Sequence, residues 1–319
     1  MPVLPHVMML GMLQTLGCAP RYGHLGSITP DQLWSPLPVR HVAVQDIDIA
    51  YVDSNPQDTT TPIIFVHGLS SYIGFWEHQL PHFAQNHRVL ALDLPGYGAS
   101  GRPDAPYTPP WYADLLSEWM TTLEIDRAIV VGHSMGGQIA MTLALTHPDQ
   151  IDRLVLAAPA GIETFSRGSA DWMRAYWHEG RAMEASEAEL RATFTSVVFN
   201  QPDAGVERLL EERVRLGQDP AFRGTSVAVA RSIRGMLDHP VAHRLSEIQA
   251  PTLIIYGTDD RMIPNPIFNG GSTRGIAEAG SKAIPNARLS LIPGAGHTVH
   301  HDAPAQFNQL VDTFLGRQP

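Results

Sequence analysis

Residues 128–137 read Ala-Ile-Val-Val-Gly-His-Ser-Met-Gly-Gly, an apolar run that leads into a glycine-rich turn. Residues 135–146 then have the composition of a helix, so this stretch predicts a strand, a sharp turn and a helix. Gly132 and Gly136 lack side chains that would collide with neighbouring backbone in such a turn. The G-x-S-x-G pattern therefore predicts Ser134 as a nucleophile at the N-terminal end of a helix, where developing negative charge is favoured. The alternative is a plain glycine-rich turn before a helix.

Further apolar runs on both sides of this turn predict the rest of a sheet. Each is short and ends in turn residues, which is typical of buried parallel strands: residues 63–66, 89–92, 154–157, 253–256 and 289–292. The alternation of residues 41–52 predicts an opening hairpin that turns at Gln45-Asp46. Helical segments follow at residues 111–123, 135–146 and 304–315, the last with Asp302 as its predicted N-cap. The alternation of strands and helices predicts an α/β fold with a doubly wound, mostly parallel sheet.

The pattern breaks between residues 162 and 246, where no apolar strand run occurs. We therefore predict a core of residues 37–161 and 247–319, interrupted by a helical insertion at 162–246. Trp172 and Trp177 lie within an aromatic helix face of this insertion. Such a face either packs on the core or contacts substrate, and we assign both tryptophans to substrate binding.

A histidine in a loop after the last strand is suited to be the base that Ser134 needs. His297 follows Gly294-Ala295-Gly296 and can reach the carboxyl edge of the sheet. Imidazole takes up and returns a proton near neutral pH, so His297 is the predicted general base. His300 and His301 are competitors that lie closer to the following helix.

The third catalytic group is a carboxylate that orients the imidazole. Asp259 and Asp260 follow the run 253–256 through a Gly-Thr turn, and we choose Asp260 while Asp259 stays an alternative. Glu163, beyond the run 154–157, is a remote alternative. The chain order Ser134, Asp260, His297 is the order of the α/β-hydrolase triad and differs from both major serine-protease orders.

The loop after residues 63–66 is where the second half of an oxyanion hole is expected. Acyl transfer needs two backbone N–H groups aimed at one developing oxyanion. We assign these donors to Leu69 and to Met135, the residue after the nucleophile. His67 is predicted to brace the loop rather than to act as a second base.

Composition excludes several other classes of function. The chain of 319 residues carries 22 Lys and Arg against 32 Asp and Glu, a net charge of −10 that does not favour nucleic acid. Residues 96–101 satisfy G-x-G-x-x-G, but the prolines that follow cannot open a phosphate-binding helix, so we expect no nucleotide cofactor. A single cysteine excludes multi-cysteine metal sites, and no histidine shows a ligand spacing, so we expect no metal. We interpret these histidines as surface or structural: His78, His82, His87, His178, His239 and His243.

The N-terminal residues 1–36 are predicted to be a leader and tether. The apolar run 7–13 ends near Gly17-Cys18, which resembles a bacterial lipoprotein signal. Thr15 stands where such signals usually have leucine, and a basic start is missing. We expect an exported or membrane-anchored lipoprotein, with lipid on Cys18 as its sole membrane contact, because no apolar run after residue 20 is long enough to cross a bilayer. The alternative is a disordered leader on a cytoplasmic protein.

Together the motifs resemble the α/β-hydrolase superfamily. The resemblance covers most of residues 40–318 and rests on five motifs in order: His67-Gly68, the loop 92–100, the elbow 132–137, the G-T-D-D-R-M-I-P stretch 257–264 and Gly296-His297. It implies that the acid is the last aspartate of G-x-x-D, which supports Asp260, and that residues 162–246 form a helical cap over the site. A serine nucleophile makes the family's dehalogenases and epoxide hydrolases poor matches, since these use aspartate.

The resemblance implies a serine carboxylesterase that cleaves esters with apolar acyl or alcohol groups and needs no cofactor. The small-molecule ester is its expected partner, since an apolar, aromatic cap suits such groups. Carbon–carbon bond hydrolases of the meta-cleavage-product type resemble the chain in elbow and cap and are the alternative. A noncatalytic small-molecule binder of the same fold is a further alternative.

Overall fold

An eight-stranded sheet forms the centre of the fold. A computed structural model describes residues 21–316, and the predicted signal ending at Cys18 lies outside these residues. The strands are β1 (Val39–Val44), β2 (Ile47–Asp53), β3 (Ile63–Val66), β4 (Val89–Leu92), β5 (Ala128–His133), β6 (Ile151–Ala157), β7 (Thr252–Gly257) and β8 (Ala287–Ile292).

The strand order β1-β2-β4-β3-β5-β6-β7-β8 confirms the predicted doubly wound, mostly parallel sheet. Strands β3 to β8 pair in parallel, whereas β2 pairs antiparallel with both β1 and β4. The hairpin between β1 and β2 turns at Gln45 and Asp46, as predicted, and both have positive φ (49° and 61°). Such two-residue turns match the twist of the strands they connect.

Helices cover both faces of the sheet. They are α1 (Leu80–Phe83), α2 (Pro109–Thr122), α3 (Met135–Thr146), α4 (Arg167–Tyr176), α5 (Glu187–Thr193), α6 (Ala204–Leu216), α7 (Phe222–Asp238), α8 (Thr273–Ala283), α9 (Val299–Asp302) and α10 (Pro304–Phe314). Alternate strand residues face opposite sides, so Ile64 and Val66 of β3 join one core cluster while Ile63 and Phe65 join the other. In the part of the chain that is described, no helix is both long and apolar enough to span a bilayer.

The segment between β6 and β7, predicted as an insertion, contains helices α4 to α7. Residues 21–35 lie against it. The backbone N–H groups of Arg21, Tyr22 and Gly23 donate to the Glu187 carboxylate, and the N–H of Trp34 donates to Glu212. Tyr22 is buried in a third apolar cluster that these residues share with α6.

The short helix α9 changes the predicted start of the last helix. We predicted Asp302 as the N-cap of α10, but Asp302 ends α9 and Ala303 occupies the N-cap position. The Asp302 carboxylate instead accepts hydrogen bonds from the backbone N–H groups of Asn200, Gln201 and Gly296. The N-cap prediction was therefore wrong, because this carboxylate binds distant loops rather than the helix that follows it.

Candidate active site

Ser134 sits on a strained turn between β5 and α3. Its φ of 52° and ψ of −116° lie in a region that non-glycine residues rarely adopt. The turn is held by the Ser134 N–H, which donates to the carbonyl of Ala157 in β6 at 3.0 Å. A Cβ on Gly136 would lie 2.2 Å from the Val66 carbonyl oxygen, and a Cβ on Gly132 would lie 2.4 Å from the Gly136 oxygen. Glycine is therefore required at both positions, for the reason that the sequence suggested.

The structure brings Ser134, His297 and Asp260 into one hydrogen-bonded chain. His297 Nε2 lies 3.0 Å from Ser134 Oγ, and His297 Nδ1 lies 2.9 Å from Asp260 Oδ2. A carboxylate can only accept, so Nδ1 carries the proton and Nε2 is free to accept the serine hydroxyl proton. The second oxygen, Asp260 Oδ1, accepts from the backbone N–H groups of Met262 and Ile263, which fixes the carboxylate in place.

The loops that carry the acid and the base lie against each other. Gly257 ends β7, and a Cβ on it would lie 2.1 Å from the Ala295 carbonyl oxygen. The N–H of Asp259 donates to that same carbonyl at 3.0 Å. Because the two parallel strands end at the same edge of the sheet, Asp260 and His297 approach each other directly.

The alternatives raised by the sequence have other partners. The Asp259 carboxylate accepts from the Thr258 hydroxyl, and Glu163 accepts from Asn269, so neither orients His297. The His300 ring is fully buried and packs on Trp76, with ring centroids 4.3 Å apart. His301 pairs with Glu77 at 2.8 Å.

Leu69, the predicted oxyanion donor, belongs to a loop that lies against Ser134. Its neighbour Gly68 is so close to Ser134 that a Cβ on Gly68 would lie 3.2 Å from the Ser134 Cβ. Among the hydrogen bonds of residues 21–316, neither the Leu69 N–H nor the Met135 N–H is a donor. Both backbone groups are therefore unpaired where the predicted oxyanion hole lies.

His67 braces the loop that holds Leu69. Its Nδ1 donates to the Gly68 carbonyl at 2.7 Å, and its Nε2 accepts from the N–H of Leu94 at 3.0 Å. Burial lowers the pKa of His67 to about 4, so the ring is neutral near pH 7. These contacts agree with the structural role predicted for His67.

His133 and Glu163 are two further ionisable groups at the site. The sequence predicted no function for His133 and suggested Glu163 only as a remote alternative to Asp260. His133 Nε2 donates to the backbone carbonyl of His297 at 3.1 Å, and this hydrogen bond fixes the backbone that carries the predicted base. Burial lowers the pKa of His133 well below its ordinary value, aided by the nearby His297. Burial also raises the pKa of Glu163 to about 7, and the Asp260 carboxylate adds to this rise. His133 occupies the variable position directly before the serine in G-x-S-x-G. This position was the sequence signal that could have identified it as part of the site.

A small apolar cleft of about 30 Å³ begins beside the Leu69 loop. Its lining combines the core loops, the inserted helices and the N-terminal segment: Leu33, Ser70, Ser71, Tyr72, Phe75, Tyr97, Gly98, Phe194, Leu209, Arg213, Leu216, Phe222 and Thr225. Ser70 and Ser71 directly follow Leu69, whereas Ser134 and His297 are not part of the lining.

Among the residues that line this cleft, Arg213 is the one with a positively charged side chain. Its guanidinium donates to the Ala182 carbonyl at 2.8 Å and lies over the Phe222 ring at 4.1 Å. Burial lowers the pKa of Arg213 to about 10. No carboxylate among the described residues lies within 4 Å of this guanidinium, so its charge is not paired by an acidic side chain.

The two tryptophans assigned to substrate binding lie in and after α4. Trp172 is 48% exposed and its ring stacks on that of Tyr176. The centroid of the Phe268 ring lies 5.1 Å from that of Trp172. Trp177 is half-buried and packs on the larger core cluster. Within residues 21–316, neither indole has a ring contact with His297.

Known proteins with similar sequences carry out different reactions. A putative carbamate hydrolase of Caulobacter sp. (strain K31) is 30% identical over 83% of this chain and 94% of its own. A 2-hydroxymuconate semialdehyde hydrolase of Pseudomonas sp. (strain CF600) is 29% identical over 85% of this chain and 93% of its own. The crystal structure of a probable hydrolytic enzyme from Pseudomonas aeruginosa PAO1 superimposes with a TM-score of 0.80 at 25% identity, covering 92% of this chain and 99% of that one.

The model of the alpha/beta hydrolase family matches residues 63–310. This span contains β3 to β8 together with Ser134, Asp260 and His297. It covers well over half of the sequence, and the fold agrees with it. The protein therefore belongs to the alpha/beta hydrolase family.

Proposed function

We propose that the protein is a serine hydrolase that cleaves carboxylic esters with apolar acyl or alcohol groups through an acyl-enzyme intermediate. The observation that carries this proposal is the hydrogen-bonded chain from Ser134 through His297 to Asp260. A serine hydroxyl becomes a good nucleophile only when a base removes its proton, and this chain supplies the base and the group that orients it.

In the first half of the reaction, His297 Nε2 takes the Ser134 proton while Oγ bonds to the ester carbonyl carbon. The Leu69 and Met135 N–H groups hold the oxyanion that forms. The carbon–alkoxide bond then breaks, and the alkoxide leaves as the alcohol with the proton from His297. In the second half, His297 deprotonates water, the hydroxide attacks the acyl carbon, and the proton returns to Ser134. Asp260 stabilises the imidazolium in both halves.

The inserted helices support an apolar substrate. The cleft beside the Leu69 loop is lined mostly by apolar and aromatic side chains from α6, α7 and the core. We propose that residues 162–246 act as a cap over the site and that an acyl or alcohol group packs against the apolar residues of this cleft when the cap helices move apart. We keep Trp172 and Trp177, on the same segment, as proposed substrate-binding residues.

Cleavage of a carbon–carbon bond in an anionic substrate is a second candidate, and Arg213 favours it. A guanidinium without an acidic partner in a cleft is suited to bind a carboxylate. The Pseudomonas relative is named for a 2-hydroxymuconate semialdehyde, and transfer of that activity to this chain is part of this candidate. The two candidates share the triad and differ in the charge of the preferred substrate.

A substrate panel tests both candidates. Wild type, Ser134→Ala and Arg213→Met are assayed with p-nitrophenyl esters of increasing acyl length and with a vinylogous diketone that carries a carboxylate. Under the ester proposal the esters are cleaved, Ser134→Ala is inactive and Arg213→Met retains ester turnover. Cleavage of the diketone alone, lost in Arg213→Met, replaces the ester proposal with the second candidate. Failure of a fluorophosphonate to label wild-type Ser134 contradicts both and favours a noncatalytic binder.

A further inference from the structure

Four potential metal ligands meet at the junction of the core and the inserted helices. Glu77 and His78 lie in the turn before Gln79, the N-cap of α1, His301 lies in α9, and Asp203 caps the N-terminus of α6. We call these four residues the Glu77 cluster. The residues of its central pair, Glu77 and His301, are separated by 224 positions, so sequence spacing could not reveal it.

The donor atoms of Glu77, His78 and His301, three of the four residues of the Glu77 cluster, are close enough to share one ion. Glu77 Oε1 lies 2.8 Å from His301 Nε2 and 3.8 Å from His78 Nε2. One donor atom from each of these three residues lies within 4.8 Å of the others. Asp203 Oδ1 lies 3.9 Å from His301 Nε2. In a tetrahedral zinc site with bonds of about 2.0–2.1 Å, neighbouring ligand atoms are about 3.3 Å apart, so small side-chain movements complete the geometry.

The electrostatics of the cluster also favour a cation. Two carboxylates stand against one guanidinium, because Arg208 Nη2 donates to the other oxygen of Glu77 at 2.7 Å. Arg208 therefore holds the Glu77 carboxylate in orientation while Oε1 stays available, as supporting hydrogen bonds do for ligating carboxylates.

We propose that the Glu77 cluster binds one Zn²⁺ ion through Glu77, His78, His301 and Asp203. Two imidazole nitrogens and two carboxylate oxygens form a ligand set that zinc accepts in proteins. Binding replaces the proton that His301 Nε2 donates to Glu77 and releases it to solvent. Because Asp203 belongs to the inserted segment and the other ligands belong to the core, the ion links the two parts.

Zinc binding is measured on the full chain without an affinity tag, after treatment with EDTA and dialysis. Wild type is expected to bind one Zn²⁺ per chain by calorimetry and elemental analysis, and Mg²⁺ is expected not to compete. Zinc at about 100 times its Kd should raise the wild-type Tm by about 4 °C.

Two variants remove ligands without breaking the Glu77–His301–Arg208 contacts. His78→Ala removes a half-exposed imidazole, and Asp203→Asn keeps a good N-cap residue while removing the charge. Each is expected to weaken zinc affinity by about tenfold or more and to lose the Tm rise. His82→Ala is the matched control. His82 pairs with Asp312 at 2.8 Å, but among the described residues it belongs to no group of three or more potential metal ligands.

Ser134→Ala separates this proposal from the proposed hydrolase function, since it is expected to bind zinc as wild type does. Equal zinc affinity in wild type and His78→Ala would overturn the proposal. Absence of zinc binding to wild type at 100 times the concentration of protein would also overturn it, and the cluster would then be a hydrogen-bonded link between α6 and the core.

Discussion

The buried carboxyl of Glu163 is expected to make the protein less stable as pH rises. Burial raises the pKa of Glu163 from its ordinary value of 4.5 to about 7, with Asp260 adding to the rise and the Asn269 hydrogen bond opposing it. Between these pH values the folded state holds a proton that the unfolded chain has lost. Stability from this group is therefore complete below about pH 4.5 and is lost as pH rises to about 7.

The size of the effect follows from the difference between the two pKa values. Each pKa unit is worth about 1.4 kcal/mol, so ionised Glu163 lowers the free energy of unfolding by about 3 kcal/mol above pH 7. Glu163→Gln has the shape of the protonated acid and keeps an acceptor for Asn269. The variant should exceed wild type by less than about 1 kcal/mol at pH 5 and by about 3 kcal/mol at pH 8. For a chain of this length, that difference raises Tm by about 4–5 °C.

The assay is urea unfolding of wild type and Glu163→Gln at pH 5 and pH 8. The difference between the two proteins at each pH cancels the titrating groups that do not interact with Glu163, because both chains share them. Glu118→Gln is the control, since Glu118 is exposed on α2 and its substitution should give the same small difference at both pH values. A Glu163→Gln effect that does not change between pH 5 and pH 8 would show that the pKa of Glu163 is not raised in the folded protein.

Three further substitutions test the site and the core. Asp260→Asn should lower kcat for the best ester by about 10⁴-fold with the fold intact, because the amide favours the wrong imidazole tautomer; a loss below tenfold would remove Asp260 from the triad. Gly136→Ala should lower the unfolding free energy by about 3 kcal/mol or more, since its Cβ would lie 2.2 Å from the Val66 oxygen, and wild-type thermal stability would contradict the elbow geometry. Arg88→Met should cost about 3–5 kcal/mol in urea unfolding, because it leaves the buried Asp53 carboxylate unpaired. An unchanged urea midpoint would show that Asp53 finds another partner.

The strands of the core could be predicted because each is a short apolar run bounded by turn residues. The predicted runs fall inside β3 to β8, and the observed strands extend them by a few residues, as β6 does from Leu154 back to Ile151. Asp152 and Arg153 in this extension are polar and half-buried and separate Ile151 from the apolar run, so hydrophobicity did not mark it. Helix α3 begins and ends at the predicted residues because a glycine-rich turn precedes it and His147-Pro148 follows it.

The elements that were missed depend on contacts between distant segments. Asp302 has the sequence of an N-cap before Pro304, but its carboxylate accepts three N–H groups from loops 200–201 and 296. Local patterns describe what a residue does for its own helix, and they carry no information about a partner 100 positions away. The pairing of His301 with Glu77 was hidden for the same reason.

The difference between local patterns and contacts of distant segments also explains which parts of the site can be predicted from the sequence. The triad is readable because every parallel strand ends at one edge of the sheet, so residues just after three strand ends must lie near one another. The cleft obeys no such rule. Its walls come from Leu33, from the loop after Leu69 and from Arg213 and Phe222 on two inserted helices, and their meeting depends on how those helices dock on the core. Sheet topology therefore explains why the candidate catalytic residues meet, whereas the lining of the cleft depends on how residues 162–246 pack on the core. Exchange of residues 162–246 between relatives of this family should accordingly change the preferred substrate and leave the Ser134 reaction intact.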